Sequence, residues 1–335
     1  MQKLFLVALG CATAGLASAE PASELVFQLK SSVVKVHTVT KTGGHGVGTG
    51  VVVAPDHVAT NCHVLANASG VTIRKMGENF APVGLKADWK HDVCVLRFQN
   101  LPLSPVPLGD SGSLQYEQPV FTVGFPGGVP KPQLTTGKIK ALYPLDDSVI
   151  VRTSASFRIG ASGSPVMDEA GRLIALNTFK SPGRDAFFYN VPVKWIQALL
   201  NAPESTAVQQ QDLPFWDAPE EVRPYFMRIV PALQEERWQE LTRIATQWTE
   251  AEPANAEAWY TLGLSALRSG AEPLATQHFQ RALALQPQHP AALYEMGLLA
   301  SRAGQRGEFQ RILVALNGID RELAQALEQS EPQRQ

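Results

Sequence analysis

A serine hydroxyl is a weak nucleophile until a neighbouring base takes its proton. One serine of this chain sits where such activation would matter. The stretch Gly160-Ala161-Ser162-Gly163-Ser164 separates two apolar runs, 148–157 and 171–179, with residues that neither pack a core nor favour a strand. Glycines beside a serine let the backbone turn sharply and approach a neighbouring strand or a substrate. Two other segments offer a base and a carboxylate to orient it. His63 follows the strand-like run that ends at Ala59-Thr60, and Asp92 stands directly before the alternating run 93–98. Taken singly, each has an ordinary explanation: a satisfied buried histidine, a turn aspartate, a serine in a glycine hairpin. Taken together, they are the parts of nucleophilic acyl transfer. The other histidines, at 37, 45, 57, 91, 278 and 289, have no supporting motif.

The chain order is His63, Asp92, Ser162. The same order occurs in chymotrypsin-type peptidases. TNCHVL resembles the histidine motif of trypsin-like serine peptidases, in particular their HtrA-like branch. HDVCVLRF resembles the aspartate motif and GASGSPV the G-x-S-G-G-P nucleophile motif. GTGVVVAPDHVATNCHVL, TTGKIKAL and GRLIALNT are similar to the family's strands in the same order, so the resemblance spans roughly residues 32–195. It implies two perpendicular six-stranded barrels with the site between them, His63 and Asp92 from the first and Ser162 from the second. It also implies the roles. Ser162 attacks the scissile carbonyl, His63 moves the proton, Asp92 orients the imidazole, and the Gly160 and Ser162 amides form the oxyanion hole.

Two residues depart from the family pattern. Ala161 stands where Asn or Asp is usual, and Ser164 where a second glycine is usual. Ser164 strains the loop if that position takes positive φ. The resemblance further implies that the residue before the histidine lies near the aspartate. Cys94, two residues beyond Asp92 on a strand, faces the same side. A Cys62–Cys94 disulfide is therefore expected, with two free thiols as the alternative. A metal site from Cys62, His63, His91 and Cys94 fits no structural zinc spacing. By alignment, Ser156 and Phe157 line the specificity pocket, Phe188 and Tyr189 form its far wall, and Asn177 and Thr178 lie on the edge that pairs with an extended substrate. No acid is evident at the pocket base, so apolar or small residues are expected at the cleavage site.

The elements that must position these groups are legible as runs. From residue 24 to 200 the chain is a series of short Val-, Ile-, Phe- and Thr-rich segments separated by Gly, Pro, Asp and Asn. That pattern predicts an antiparallel barrel or sandwich, with a short helix at each end. Residues 201–219 are rich in Pro and Gln without a clear period and are read as a linker. From 220 to 330 the pattern becomes helical and repeats. Tyr225, Trp259 and Leu293 are spaced by 34 residues, as are Pro253 and Pro287. Trp259, Leu262, Gly263, Ala266, Ala275, Phe279, Ala282 and Pro287 resemble the defining positions of a tetratricopeptide repeat. Fewer than three good copies are present, so flanking helices or docking on the first domain must complete the unit. The fold class expected is thus multidomain: an all-β trypsin-like double barrel followed by an all-α, tetratricopeptide-repeat-like domain.

The bulk numbers exclude little but agree with this. The 335 residues are 44% hydrophobic and 18% charged. A formal net charge of −2 gives no electrostatic footprint for nucleic acid. Residues 1–19 read as a signal peptide cut after Ala17-Ser18-Ala19, which implies export to a periplasmic or extracellular space. A membrane anchor and a lipoprotein cut before Cys11 are the alternatives. No cofactor or metal is called for. The expected partners are a polypeptide substrate and a protein recruited by the helical repeats. The competing class is a binding scaffold built on a peptidase fold that has lost catalysis.

Overall fold

In a computed structural model, residues 21–183, 185–205 and 212–331 are described. The proposed signal peptide lies outside them. Helix α1 (Ser23–Ser32) leads into β1 (Val33–Thr40), β2 (His45–Ala54), β3 (His57–Thr60), β4 (Ala68–Lys75), β5 (Glu78–Phe80), β6 (Gly84–Asp88) and β7 (Val93–Arg97). These form one antiparallel sheet in the order β5-β4-β1-β2-β3-β7-β6. Its two end strands, β5 and β6, are adjacent in sequence but do not pair with each other. The residues between them include Pro82, which has no N–H to donate. The first half is therefore a curved sheet, in place of a hydrogen-bonded ring of six strands.

The second half does close. Strands β8 (Pro119–Gly124), β9 (Gln133–Leu145), β10 (Ser148–Thr153), β11 (Pro165–Asp168), β12 (Leu173–Lys180) and β13 (Phe188–Pro192) make a barrel in the order β10-β13-β12-β11-β8-β9. Burial explains the sequence pattern of both halves. Val34, Val36, Val52, Val58, Ile73 and Leu96 fill the first, and Val120, Ile139, Val151, Val166 and Ile174 fill the second. Helix α2 (Val193–Asn201) then packs Trp195, Ile196 and Leu199 back onto the strands.

Beyond the linker, seven helices follow among the described residues: α3 (Tyr225–Gln234), α4 (Trp238–Ala251), α5 (Ala256–Arg268), α6 (Glu272–Leu285), α7 (Pro290–Arg302), α8 (Arg306–Asn317) and α9 (Arg321–Gln329). The repeat residues act as their sizes predict. Ala275, Phe279 and Ala282 are fully buried, and a Cβ on Gly263 would come within 2.7 Å of the Phe279 ring, so only glycine lets α5 and α6 approach there. Helix α6 ends two residues before Pro287, with Gln286 already extended, as the residue before a proline prefers. Leu327 of α9 lies over Gly297 and caps the last hairpin.

The helices dock on the closed barrel. Phe226 stacks on Tyr143 at 4.4 Å between ring centroids, and Tyr116 Oη donates to Asp320 at 2.6 Å. One buried apolar cluster runs from Val123, Tyr143 and Tyr189 into Phe226, Ile229, Leu241 and Trp248. No helix among the described residues is long and apolar enough to cross a membrane.

Candidate active site

His63 lies on a single turn of 3-10 helix, Cys62–Val64, immediately after β3. Asp92 ends the tight turn between β6 and β7, where its N–H donates to Trp89 O and its φ is +59°. Aspartate tolerates this left-handed conformation better than most residues. The turn directs the carboxylate at the histidine. Asp92 Oδ1 accepts from the His63 backbone N–H at 2.8 Å, and Oδ2 accepts from Nδ1 at 2.6 Å. A carboxylate only accepts, so Nδ1 carries a proton, and in the neutral ring Nε2 is then the acceptor. Asp92 is fully buried and His63 is part exposed. The imidazole is thus open to the cleft while its carboxylate partner is shielded.

A disulfide joins Cys62 to Cys94, with Cα atoms 4.9 Å apart. It ties the histidine turn to the strand that follows Asp92. Asn61 adds a second tie, donating to Asp92 O at 2.9 Å and to Thr178 Oγ1 at 3.0 Å.

Ser162 comes from the loop before β11. The loop is held by Thr49 on β2, whose N–H donates to Ser162 O at 2.8 Å and whose hydroxyl donates to Gly160 O at 2.9 Å. Two glycines take positive φ here, Gly160 at +91° and Gly163 at +83°. A Cβ at 163 would lie 2.1 Å from Thr49 O, and one at 160 would lie 2.7 Å from Phe125 O. Both positions therefore need glycine for conformation and for space.

Ser164 does not take positive φ, so the loop strain expected of it is absent. Its buried Oγ instead fills space left by Gly124, where an added Cβ would fall 1.8 Å away. Ala161 is buried where a polar residue is usual in the family motif.

The Gly160 and Ser162 amides are set by the carbonyls sharing their peptide planes. Ile159 O accepts from Gly127 N at 2.6 Å, and Ala161 O accepts from Ser164 N at 3.0 Å. In a trans peptide the N–H points opposite to its C=O. Each amide is consequently turned away from those contacts, and neither donates to a protein acceptor among the described residues.

His63 and Ser162 line one cleft of about 1040 Å³, together with Ser156, Phe157, Asn177 and Thr178. No hydrogen bond joins Ser162 Oγ to His63 among the described residues. Among the described residues the cleft wall carries Arg158 and Lys180 but no aspartate or glutamate. The exposed Ile159 side chain stands at its rim. On its β11 side, β12 pairs only as far as Leu176, and Asn177 exchanges backbone bonds with Gly163 and Ser164. The edge beyond Asn177 is open toward the cleft. Thr178 itself is turned inward, with its hydroxyl donating to Leu176 O.

Phe188 and Tyr189 lie off the cleft, contrary to the expectation that they wall it. Successive residues on a strand face opposite ways. Tyr189 is 1% exposed and packs toward the helices, 5.8 Å from the Phe226 ring, while Phe188 backs Phe157 at 5.3 Å.

Sequence reasoning also missed Trp216, from the presumed linker. It lines the cleft, and its Nε1–H donates to Asp92 Oδ2 at 2.9 Å. A tryptophan in an aperiodic stretch carries no signal of where its ring will go. Asn61 and Thr49 were likewise hidden within strand-like text.

The chain is similar to known proteins in two separate regions. Residues 48–176 match the family model described as a trypsin-like peptidase domain. Residues 235–332 match a model described as the middle TPR-like domain of cilia and flagella-associated protein 70. The chain is 34% identical over 161 residues to "Protease Do-like 1, chloroplastic" of Arabidopsis thaliana, covering 43% of this chain and 36% of that one. It is 30% identical over 138 residues to "Probable periplasmic serine endoprotease DegP-like" of Chlamydia trachomatis, covering 39% of this chain and 28% of the relative. The chain thus spans about a third of the length of these relatives. The active form of the Rv3671c protease from M. tuberculosis superposes with a TM-score of 0.51 at 23% identity, over 57% of this chain and 92% of that one, a likeness of fold.

Proposed function

We propose, from the premise that this chain carries a trypsin-like peptidase domain with a TPR-like helical region behind it, that it is an exported serine endopeptidase. Ser162 attacks the scissile carbonyl, and His63 Nε2 takes the hydroxyl proton and returns it to the leaving amine. Asp92 holds the Nδ1–H tautomer and stabilises the imidazolium, while the Gly160 and Ser162 amides stabilise the tetrahedral oxyanion. The observation that carries this reading is the 2.6 Å bond from a fully buried Asp92 to Nδ1 of His63, whose ring lines the same cleft as Ser162.

The open edge of β12 suits an extended peptide, added as a further strand. Arg158 and Lys180, with no carboxylate on the cleft wall among the described residues, favour small or apolar residues at the cleavage site over Lys or Arg. The helical repeats suit recruitment of a polypeptide substrate or protein partner.

A second reading, a binding scaffold on a silent peptidase fold, draws on the missing Ser162–His63 hydrogen bond. A fluorophosphonate probe separates the two. The peptidase reading expects covalent labelling of the wild type that is lost in Ser162→Ala, together with cleavage of a peptide library. Loss of the nucleophile lowers turnover by about 10⁶. A folded wild type that neither labels nor cleaves any library member leaves the scaffold reading.

A further inference from the structure

We infer that Trp216 is a positioning residue for Asp92, and through it for His63, an inference that rests on the serine peptidase reading. The segment that carries it lies outside the residues matched by the peptidase family model. A fully buried carboxylate needs donors aimed at its lone pairs. Among the described residues two come from His63, its backbone N–H on Oδ1 and Nδ1 on Oδ2, and a further side-chain donor is Trp216 Nε1 on Oδ2. If the ring swung, Oδ2 would lose its Nδ1 donor, while the His63 backbone N–H would still hold only Oδ1. The indole bond approaches from another part of the chain and holds the carboxylate independently of the group it orients.

The indole is itself fixed. It stacks on Phe179, with centroids 5.1 Å apart and planes 14° from parallel, and meets the His63 ring edge-on at 5.3 Å and 88°. The strap is joined to the aspartate turn by Phe215 N, which donates to Lys90 O at 2.9 Å. Phe215 is 5% exposed and belongs to the same apolar cluster as Phe226 of α3. The orientation of the acid thereby depends on the segment that leads to the helices.

Trp216→Phe tests this, because it keeps an aromatic ring against Phe179 and His63 but removes the N–H. The readouts are the saturable labelling kinetics of a fluorophosphonate and the downfield proton resonance of His63 Nδ1–H. Loss of one hydrogen bond to a charged group lowers the maximal labelling rate about tenfold to a hundredfold, with half-saturation little changed. The resonance moves, and in the wild type it shows an Overhauser contact to one indole N–H that vanishes in the variant. Leu213→Ala, an exposed change on the same strap, keeps wild-type values. Should Trp216→Phe not fold, Phe215→Leu loosens the strap without touching the triad, and a several-fold slower maximal rate is expected. Wild-type labelling with unchanged rates and resonance in the variants overturns the inference alone. A wild type that does not label overturns the peptidase reading beneath it, while the Overhauser contact still reports the indole geometry.

Discussion

Replacing Gly163 by alanine isolates what the Ser162 loop demands of its backbone. The residue sits at φ +83°, and its missing Cβ would lie 2.1 Å from Thr49 O and 2.5 Å from Thr60 Oγ1. Two costs add. Holding alanine in the left-handed region costs about 1–2 kcal/mol. Forcing a methyl group against main chain that is already paired costs about 1–3 kcal/mol more. The neighbour cannot step aside cheaply, because Thr49 O accepts from Thr60 Oγ1 and Thr49 N holds Ser162 O. The expected loss is about 2–5 kcal/mol, a fall in Tm of about 5–12 °C for a domain of this size. Gly70→Ala is the matched control, since a Cβ there meets nothing within 4 Å and its φ is not positive. Differential scanning calorimetry of the two variants beside the wild type reads the difference directly. If Gly163→Ala melts within a degree or two of Gly70→Ala, the loop is softer than its contacts imply and the steric reasoning fails. On the peptidase reading, Gly163→Ala also slows fluorophosphonate labelling, because Ser162 must shift with its neighbour.

Reduction of the Cys62–Cys94 bond, which closes a sequence separation of 32, removes about 3–4 kcal/mol in the chain-entropy model. Urea unfolding with and without reductant reads this loss, and the Cys62→Ser/Cys94→Ser double variant abolishes the difference between the two curves. His91 contributes stability that depends on pH. It is clamped between Asp88 and Asp146, with Nδ1 and Nε2 at 2.6 and 2.7 Å from their carboxylates. Burial opposes its charge, but the two carboxylates outweigh burial and raise its pKa above the ordinary imidazole range. A raised folded-state pKa means the stabilisation is complete below about pH 6.5. It is lost as pH climbs through the higher folded value. His91→Asn should flatten the Tm-versus-pH curve between neutral and mildly alkaline pH, and an unchanged slope contradicts the assignment. Phe226→Ala empties the stack on Tyr143 at the domain contact. Truncating a buried phenylalanine costs about 3–5 kcal/mol, and the helices should then melt before the barrel, seen as two calorimetric transitions where the wild type shows one.

The sequence by itself carried the candidate site residues and the kinds of element. His63, Asp92 and Ser162 were legible because each sits in a short motif whose residue types suit its local backbone: a turn after a strand, a turn before one, a glycine loop. The helical repeats were legible for the same reason, since Tyr225, Trp259 and Leu293 recur at a 34-residue spacing that reflects one hairpin packing on the next. Tertiary structure decided which side chains from different segments share a contact. Thr49 pins the Ser162 loop from the other half of the fold, Tyr189 turns toward the helices, and Trp216 reaches the Asp92 carboxylate from an aperiodic stretch. Local sequence records a residue's own backbone preference and its solvent pattern. A contact across 124 positions, such as that between Trp216 and Asp92, leaves no period to read, because it depends on where the whole intervening chain has packed.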